Sequence, residues 1–230
     1  MKGKAYGVGV GPGDPEMMTV KAIRLIREAQ VIAVPGKNPK EAVAYKIALA
    51  MVPELADKEL MAIDMPMVKD REMIREYHKQ GARQIADELD QGKDVVYITL
   101  GDSTIYCTFT YLQAYLKEDG YETELVNGIS SFSAAAAALN IPLMEWDEPL
   151  HVVPAVHKTD DKLDQPGTYV LMKSASHMKE VKDLLRKSGK DVLMVENCGM
   201  ETEKIYHSVE EIPDDAGYFS LIIAKDAQEK

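Results

Sequence analysis

Cysteine is scarce in this chain. Cys107 and Cys198 are the only two, and no CxxC pair occurs. That leaves no material for a disulfide framework and points to a reduced, cytoplasmic protein with free thiols. The five histidines (His78, His151, His157, His177 and His207) are scattered. No His/Cys/carboxylate spacing suggests a metal held by the protein, so none is expected. Positive charge is short as well: 27 Lys and Arg against 38 Asp and Glu give a net charge of −11. This argues against general nucleic-acid binding and against docking on anionic membranes, both of which need a basic face. A local basic pocket for a small anion stays compatible with it. Long apolar runs are missing too. The longest uncharged window, Leu125 to Met144, contains Asn127, Gly128, three serines, Asn140 and Pro142, and its apolar part is mostly alanine. A membrane span needs about 20 predominantly apolar residues, so this window does not qualify. Met1-Lys2-Gly3-Lys4 runs straight into an apolar strand, leaving no room for a signal peptide.

What is present is the material of a globular α/β protein. The chain has 230 residues, 46% of them apolar, enough for one large domain or two small ones. Apolar β-rich runs alternate with helical patterns through the first half. Strands are expected at Lys4–Val10, Val31–Val34, Leu60–Met65 and Val95–Leu100. Helices are expected at Met17–Ala29, Pro39–Met51, Lys69–Gln91 and Thr104–Lys117. This βαβαβαβα order is the signature of a parallel sheet. Glu122–Val126 adds a strand, and an alanine-rich helix runs from Ser131 to Leu139. Beyond Pro142 the texture turns strand-rich: Pro149–Pro154, Thr168–Met172, Val192–Glu196, Thr202–Ser208 and Tyr218–Ala224, with one clear helix at Ser176–Ser188. The expected organisation is an N-terminal parallel α/β domain over residues 1–119 and a C-terminal mixed-sheet α/β domain over 120–230, with a ligand cleft between them.

Three strand ends carry turns rich in glycine and small polar residues. Gly7 to Pro15 holds four glycines and two prolines in nine residues, a fixed turn that lets a ligand approach the backbone. Val95 to Leu100 stops at Gly101-Asp102-Ser103, and Glu122 to Val126 stops at Asn127-Gly128-Ile129-Ser130-Ser131. Open α/β sheets bind ligands at such strand ends. No phosphate-loop pattern GxxxxGK[ST] occurs. The dinucleotide fingerprint GxGxxG fails at Pro12, and the acid required after the second strand is replaced by Val34-Pro35-Gly36-Lys37. The residue types alone leave two readings open at each turn. Asp102 is a turn and helix-cap residue or a site residue, Ser130 and Ser131 are caps or ligand contacts, and Tyr106 faces a ligand or packs in the core.

The ordered set of motifs resembles the tetrapyrrole (corrin/porphyrin) methylases. Gly7-Val8-Gly9-Val10-Gly11-Pro12-Gly13-Asp14-Pro15-Glu16, followed by Thr19-x-Lys21-Ala22, looks like the family's first signature. Leu100-Gly101-Asp102-x-x-x-Tyr106 looks like the second, and Val126-x-Gly128-Ile129-Ser130-Ser131-Phe132 like the third. The likeness continues through Leu171-Met172-Lys173 and Val195-Glu196-Asn197, so it covers essentially the whole chain. Within the family it is greatest to the precorrin-2/cobalt-factor II C20-methyltransferases, and the segment Gly101 to Leu112 looks more like their early-cobalt-insertion branch. One position departs from the pattern: the family usually has Gly-Asp-Pro where this chain has Gly101-Asp102-Ser103.

The resemblance implies transfer of a methyl group from S-adenosylmethionine to C20 of a reduced tetrapyrrole, leaving S-adenosylhomocysteine. Any cobalt would arrive inside the substrate. The implied donor-binding residues are Pro12, Leu100, Gly101, Asp102, Ile105, Ser130, Ser131, Met172 and Cys198. Asp102 and Tyr106 are the candidates for a catalytic role, and Lys21, Lys37, Lys158, Lys173 and His177 are candidates to meet substrate carboxylates. A homodimer is also implied. The alternatives are a methylase of the same fold acting at another corrin position or on another acceptor, and a non-catalytic tetrapyrrole or nucleoside binder.

Overall fold

The computed structural model describes residues 1–66, 68, 70–155 and 163–227; the candidate cation Lys158 lies outside them. The chain divides into two compact units, Met1–Ser130 and Ser131–Lys230.

Unit 1 is a five-stranded, all-parallel sheet. Its strands are β1 (Ala5–Gly9), β2 (Val31–Pro35), β3 (Glu59–Ile63), β4 (Val95–Thr99) and β5 (Thr123–Val126), in the order β3-β2-β4-β1-β5. Four helices cover it: α1 (Val20–Glu28), α2 (Val43–Met51), α3 (Arg71–Asp90) and α4 (Phe109–Glu118). The strands are apolar on both faces because both faces are covered. Val8, Ile32, Val34, Val96 and Ile98 point into one core with Leu25, Ile26, Ile47 and Ala48 of α1 and α2. Ala5, Val31, Ala33, Val95 and Tyr97 alternate to the other, against Ile85, Leu89, Leu112 and Leu116 of α3 and α4. Gly7 of β1 is required by this second core: a Cβ there would lie 2.2 Å from the ring of the fully buried Phe109.

The alternating pattern places the elements well, but their starts shift. Thr19 caps α1 by accepting a hydrogen bond from the Ala22 amide at 3.1 Å, so Asp14-Pro15-Glu16 belongs to a separate 3₁₀ turn ahead of that helix. The helix expected from Thr104 begins only at Phe109, and Asp102 and Ser103 therefore do not cap it. The expected boundary at 119/120 is also corrected. β5 pairs in parallel with β1 (Tyr6 opposite Glu124, Val8 opposite Val126), so the first unit runs on through Ser130.

Unit 2 is a mixed sheet in the order β6-β7-β10-β8-β9, formed by β6 (Leu150–Pro154), β7 (Thr168–Met172), β8 (Asp191–Glu196), β9 (Lys204–Tyr206) and β10 (Ser220–Lys225). β6 and β7 are parallel, and every other pair is antiparallel. Helix α6 (Met178–Ser188) buries Met178, Val181 and Leu185 against Leu171, Met194 and Ile222. The alanine-rich helix α5 (Ser131–Ala138) packs on β8 and β10. Lys182 is nearly buried on α6, where its ammonium reaches the Ile212 carbonyl at 2.6 Å and Asp214 at 2.7 Å. No helix among the described residues is long and apolar enough to cross a membrane.

Candidate active site

In unit 1 the loops after β1, β4 and β5 leave the same edge of the sheet, because these three neighbouring strands are parallel. Their backbones meet through glycine. Gly11 and Gly101 form a two-hydrogen-bond bridge, with the Gly101 amide donating to the Gly11 carbonyl at 2.8 Å and the reverse bond at 3.2 Å. Both have positive φ, +80° and +72°, the left-handed region that glycine enters freely. The Gly101 carbonyl is wedged between the other two loops. A Cβ on Gly9 would lie 2.5 Å from it, and one on Gly128 2.2 Å. Side chains on Gly9 or Gly128 would push the three loops apart.

Asp102 closes this junction. It is 8% exposed, and each carboxylate oxygen accepts two hydrogen bonds. Oδ1 takes the Thr104 amide at 2.7 Å and the Thr104 hydroxyl, which makes a local Asx turn. Oδ2 takes the Asn127 amide group at 3.2 Å and the Gly128 backbone amide at 3.0 Å. The four lone-pair sites of an ionised carboxylate are thereby used. The geometry fits a fixed negative charge that binds loop to loop better than it fits a base awaiting a proton.

The sequence-derived candidates of unit 1 gather here. Pro12 and Gly101 are buried, while Leu100, Ile105 and Ser130 are half-buried along the three loops. Tyr106 is 47% exposed with φ of +50°, so it is not a core residue. A side chain other than glycine held in that region marks a site whose surroundings impose it. Thr104 and Asn127, which hold Asp102, escape a reading of residue types. The Asp-x-Thr spacing of an Asx turn is a local signal for the first; nothing local announces the second.

Ser131, Met172 and Cys198 belong to unit 2. Ser131 opens α5. Met172 ends β7 and Cys198 follows β8, two strands that flank β10, with Met172 opposite Leu221 and Glu196 opposite Ser220. The turn residues that follow each strand, Lys173 (φ +60°) and Asn197 (φ +55°), are again left-handed without being glycine. Glu196 is nearly buried and anchors this edge, accepting from the Gly217 amide at 2.7 Å and the Tyr206 hydroxyl at 3.2 Å. Burial, and then Glu203, push the Cys198 thiol up to about 11, so it stays protonated at neutral pH and is no nucleophile. Burial raises Cys107 in the same direction.

The candidate cations are dispersed. Lys21 pairs with Glu124 at 2.6 Å in the first half of β5, and Lys37 lies 3.8 Å from Asp64. His177 is exposed in a 3₁₀ turn after Lys173. Among the described residues no group of three or more His, Cys, Asp and Glu is arranged to hold a metal ion.

Comparison with known proteins decides the family. The tetrapyrrole (corrin/porphyrin) methylases match residues 4–213. The chain belongs to this family. It is 36% identical to the probable cobalt-precorrin-2 C(20)-methyltransferase of Methanocaldococcus jannaschii, covering 96% of each chain. It is 29% identical to the cobalt-precorrin-2 C(20)-methyltransferase of Salmonella typhimurium, over 97% of this chain and 96% of that one. Solved structures share the fold. A cobalt precorrin-4 methyltransferase superposes with a TM-score of 0.73 at 24% identity, over 96% of this chain and 94% of the other. The uroporphyrin-III C-methyl transferase of Thermus thermophilus, complexed with S-adenyl homocysteine, gives 0.70 at 24% identity and 97% coverage of both. The expected two-part α/β methylase fold is thus the observed one.

Proposed function

We propose that this methylase transfers the methyl group of S-adenosylmethionine to C20 of a reduced tetrapyrrole, cobalt-factor II or precorrin-2. The observation that carries the reading is the glycine-packed junction of three strand-end loops closed by the Asp102 carboxylate. With no side chain at Gly9 or Gly128 the three loops close on the Gly101 carbonyl with their backbones bare, and a fixed negative charge stands at that junction. A bulky cation approaching backbone fits that combination. The names of the relatives at 36% and 29% identity support C20 as the acceptor position.

S-adenosylmethionine, when bound, supplies a methyl group already activated on a sulfonium. The residues we assign to it are Pro12, Leu100, Gly101, Asp102, Ile105 and Ser130 from unit 1, and Ser131, Met172 and Cys198 from unit 2. Gly101 admits close approach of the donor to the backbone. Ser130 and Ser131 offer hydroxyls at the start of α5. Leu100 and Ile105 keep water from the reacting carbon. Asp102 favours the positive sulfonium by charge attraction and holds the loops in register. Cys198 contributes as a lining residue, its thiol protonated. Tyr106, exposed on the same loop as Asp102, faces the macrocycle. The methyl leaves sulfur as the C20–carbon bond forms, and C20 then loses its proton. The protein's part is alignment, which supplies about 7–11 kcal/mol in well-oriented systems. Cobalt, if present, is part of the substrate.

We also place the enzyme in the cytoplasm as a homodimer. Both cysteines are free thiols, which suits a reducing compartment. Met144 and the fully exposed Trp146 give unit 2 an apolar stretch suited to a protomer contact. Light scattering on the purified protein tests the dimer: a monomer mass would remove it. Incubation with S-adenosylmethionine and cobalt-factor II, followed by mass spectrometry, tests the activity. One added methyl is expected, and an unchanged substrate mass would overturn the assignment.

A further inference from the structure

Ser103 stands where the family pattern has proline, and the structure shows what this chain does instead. Asp102 to Ile105 form a β-turn, with the Ile105 amide donating to the Asp102 carbonyl at 3.4 Å, and Ser103 occupies its second position. Proline is favoured there because its ring presets the backbone angle the turn requires. Serine presets nothing, so on local grounds this turn is looser than its proline counterpart. Ser103 is, however, completely buried, and its hydroxyl donates to the carbonyl of Val126 at 2.9 Å. Val126 is the last residue of β5 and immediately precedes Asn127-Gly128, the pair whose amides bind Asp102.

Two neighbouring side chains therefore tie the β4 loop to the β5 loop. Asp102 accepts from residues 127 and 128, and Ser103 donates to residue 126. Two of these three bonds are donated from the β5 loop and one from the β4 loop, so the junction is held in both directions. We propose that Ser103 is a positioning residue for the methyl donor, replacing the stiffness of proline by a buried bond that sets where the third loop stands relative to Asp102. This rests on the donor-pocket reading above.

The test is calorimetric titration of the purified protein with S-adenosylhomocysteine, well below the melting temperature of every variant. Wild type serves as the control, and thermal melts confirm folding. Ser103→Ala removes one hydrogen bond and is expected to weaken binding about five-fold, the scale of one net hydrogen bond. Ser103→Pro restores turn stiffness by the other route and is expected to return affinity to within about two-fold of wild type. A residue that merely stabilised the fold would lower the melting temperature of Ser103→Ala and leave the affinity alone. Ser103→Cys fills nearly the same space with a weak donor and is expected to bind weakly too, which keeps the test decisive if the alanine variant does not fold. Wild-type affinity in the alanine or cysteine variant, or a proline variant as weak as the alanine one, would overturn the inference. No binding by wild type itself would instead remove the donor-pocket reading, and this inference with it.

Discussion

Replacing Asp102 by alanine tests the junction most severely. The carboxylate accepts four hydrogen bonds, two from Thr104 within its own loop and two from Asn127 and Gly128 across to the next. Thr104 and Asn127 are exposed, so water replaces the lost acceptor at their side chains; the Gly128 amide is half-buried and rehydrates less well. A hydrogen bond to a charged group contributes about 1.5–3 kcal/mol, and two bonds cross between the loops. Allowing for rehydration, the net loss at the junction is about 2 kcal/mol, or about thirty-fold in Kd. Titration with S-adenosylhomocysteine reads this loop-positioning part. Titration with S-adenosylmethionine reads the same loss plus that of the charge attraction to its sulfonium, so the donor is expected to lose more affinity than the product. Asp102→Asn keeps the shape and removes the charge, and should also discriminate against the donor. An Asp102→Ala protein that melts cooperatively and binds S-adenosylhomocysteine as tightly as wild type would refute the reasoning.

Three further outcomes follow from the same geometry. Gly9→Ala sets a Cβ 2.5 Å from the Gly101 carbonyl and 2.7 Å from the Gly128 amide, both backbone atoms, so it should lower the melting temperature and abolish product binding by calorimetry; a variant that binds normally contradicts the close packing. Hydrogen bonds from Lys21 and Lys4 hold the Glu124 carboxylate down at about 2 from an ordinary 4.5. The unfolded chain takes up that proton first, so this contribution is complete above about pH 4.5 and fades as pH falls towards about 2; Glu124→Gln should flatten the fall in melting temperature over that window, modestly because the pair is partly solvated. Cys107 and Cys198 are both buried and both raised above the usual thiol range, so a thiol reagent at about pH 8 should label neither in the native protein and both after unfolding; rapid native labelling of Cys198 would revive it as a nucleophile.

Much of unit 1 was legible because its signals are local. Apolar runs of strand length bounded by glycine, proline or asparagine alternate with helical patterns, and parallel strands buried on both faces produce just that text. α4 starts later than the expected Thr104, and the chain carries a cue for it. Thr104, Ile105, Tyr106, Cys107 and Thr108 are all weak helix formers, and Tyr106 adopts a left-handed conformation that breaks any helix. The place of β5 could not be read at all, since which sheet a strand joins is settled by pairing with a distant partner, here β1. The three loops were legible as glycine-rich turns. Their convergence on one carbonyl, and the bonds from Asn127 and Ser103 that secure it, depend on strand order β4-β1-β5 and so exist only in the folded chain.

The measurement that bears most directly on the central claim is the position of the transferred carbon. The purified protein is incubated with S-adenosylmethionine carrying a ¹³C-labelled methyl group, once with cobalt-factor II and once with precorrin-2, and the products are analysed by NMR. The account requires a single labelled methyl group on C20, with the more productive substrate naming the branch. Label at another carbon, or none on either macrocycle from a protein that binds S-adenosylhomocysteine, would contradict it.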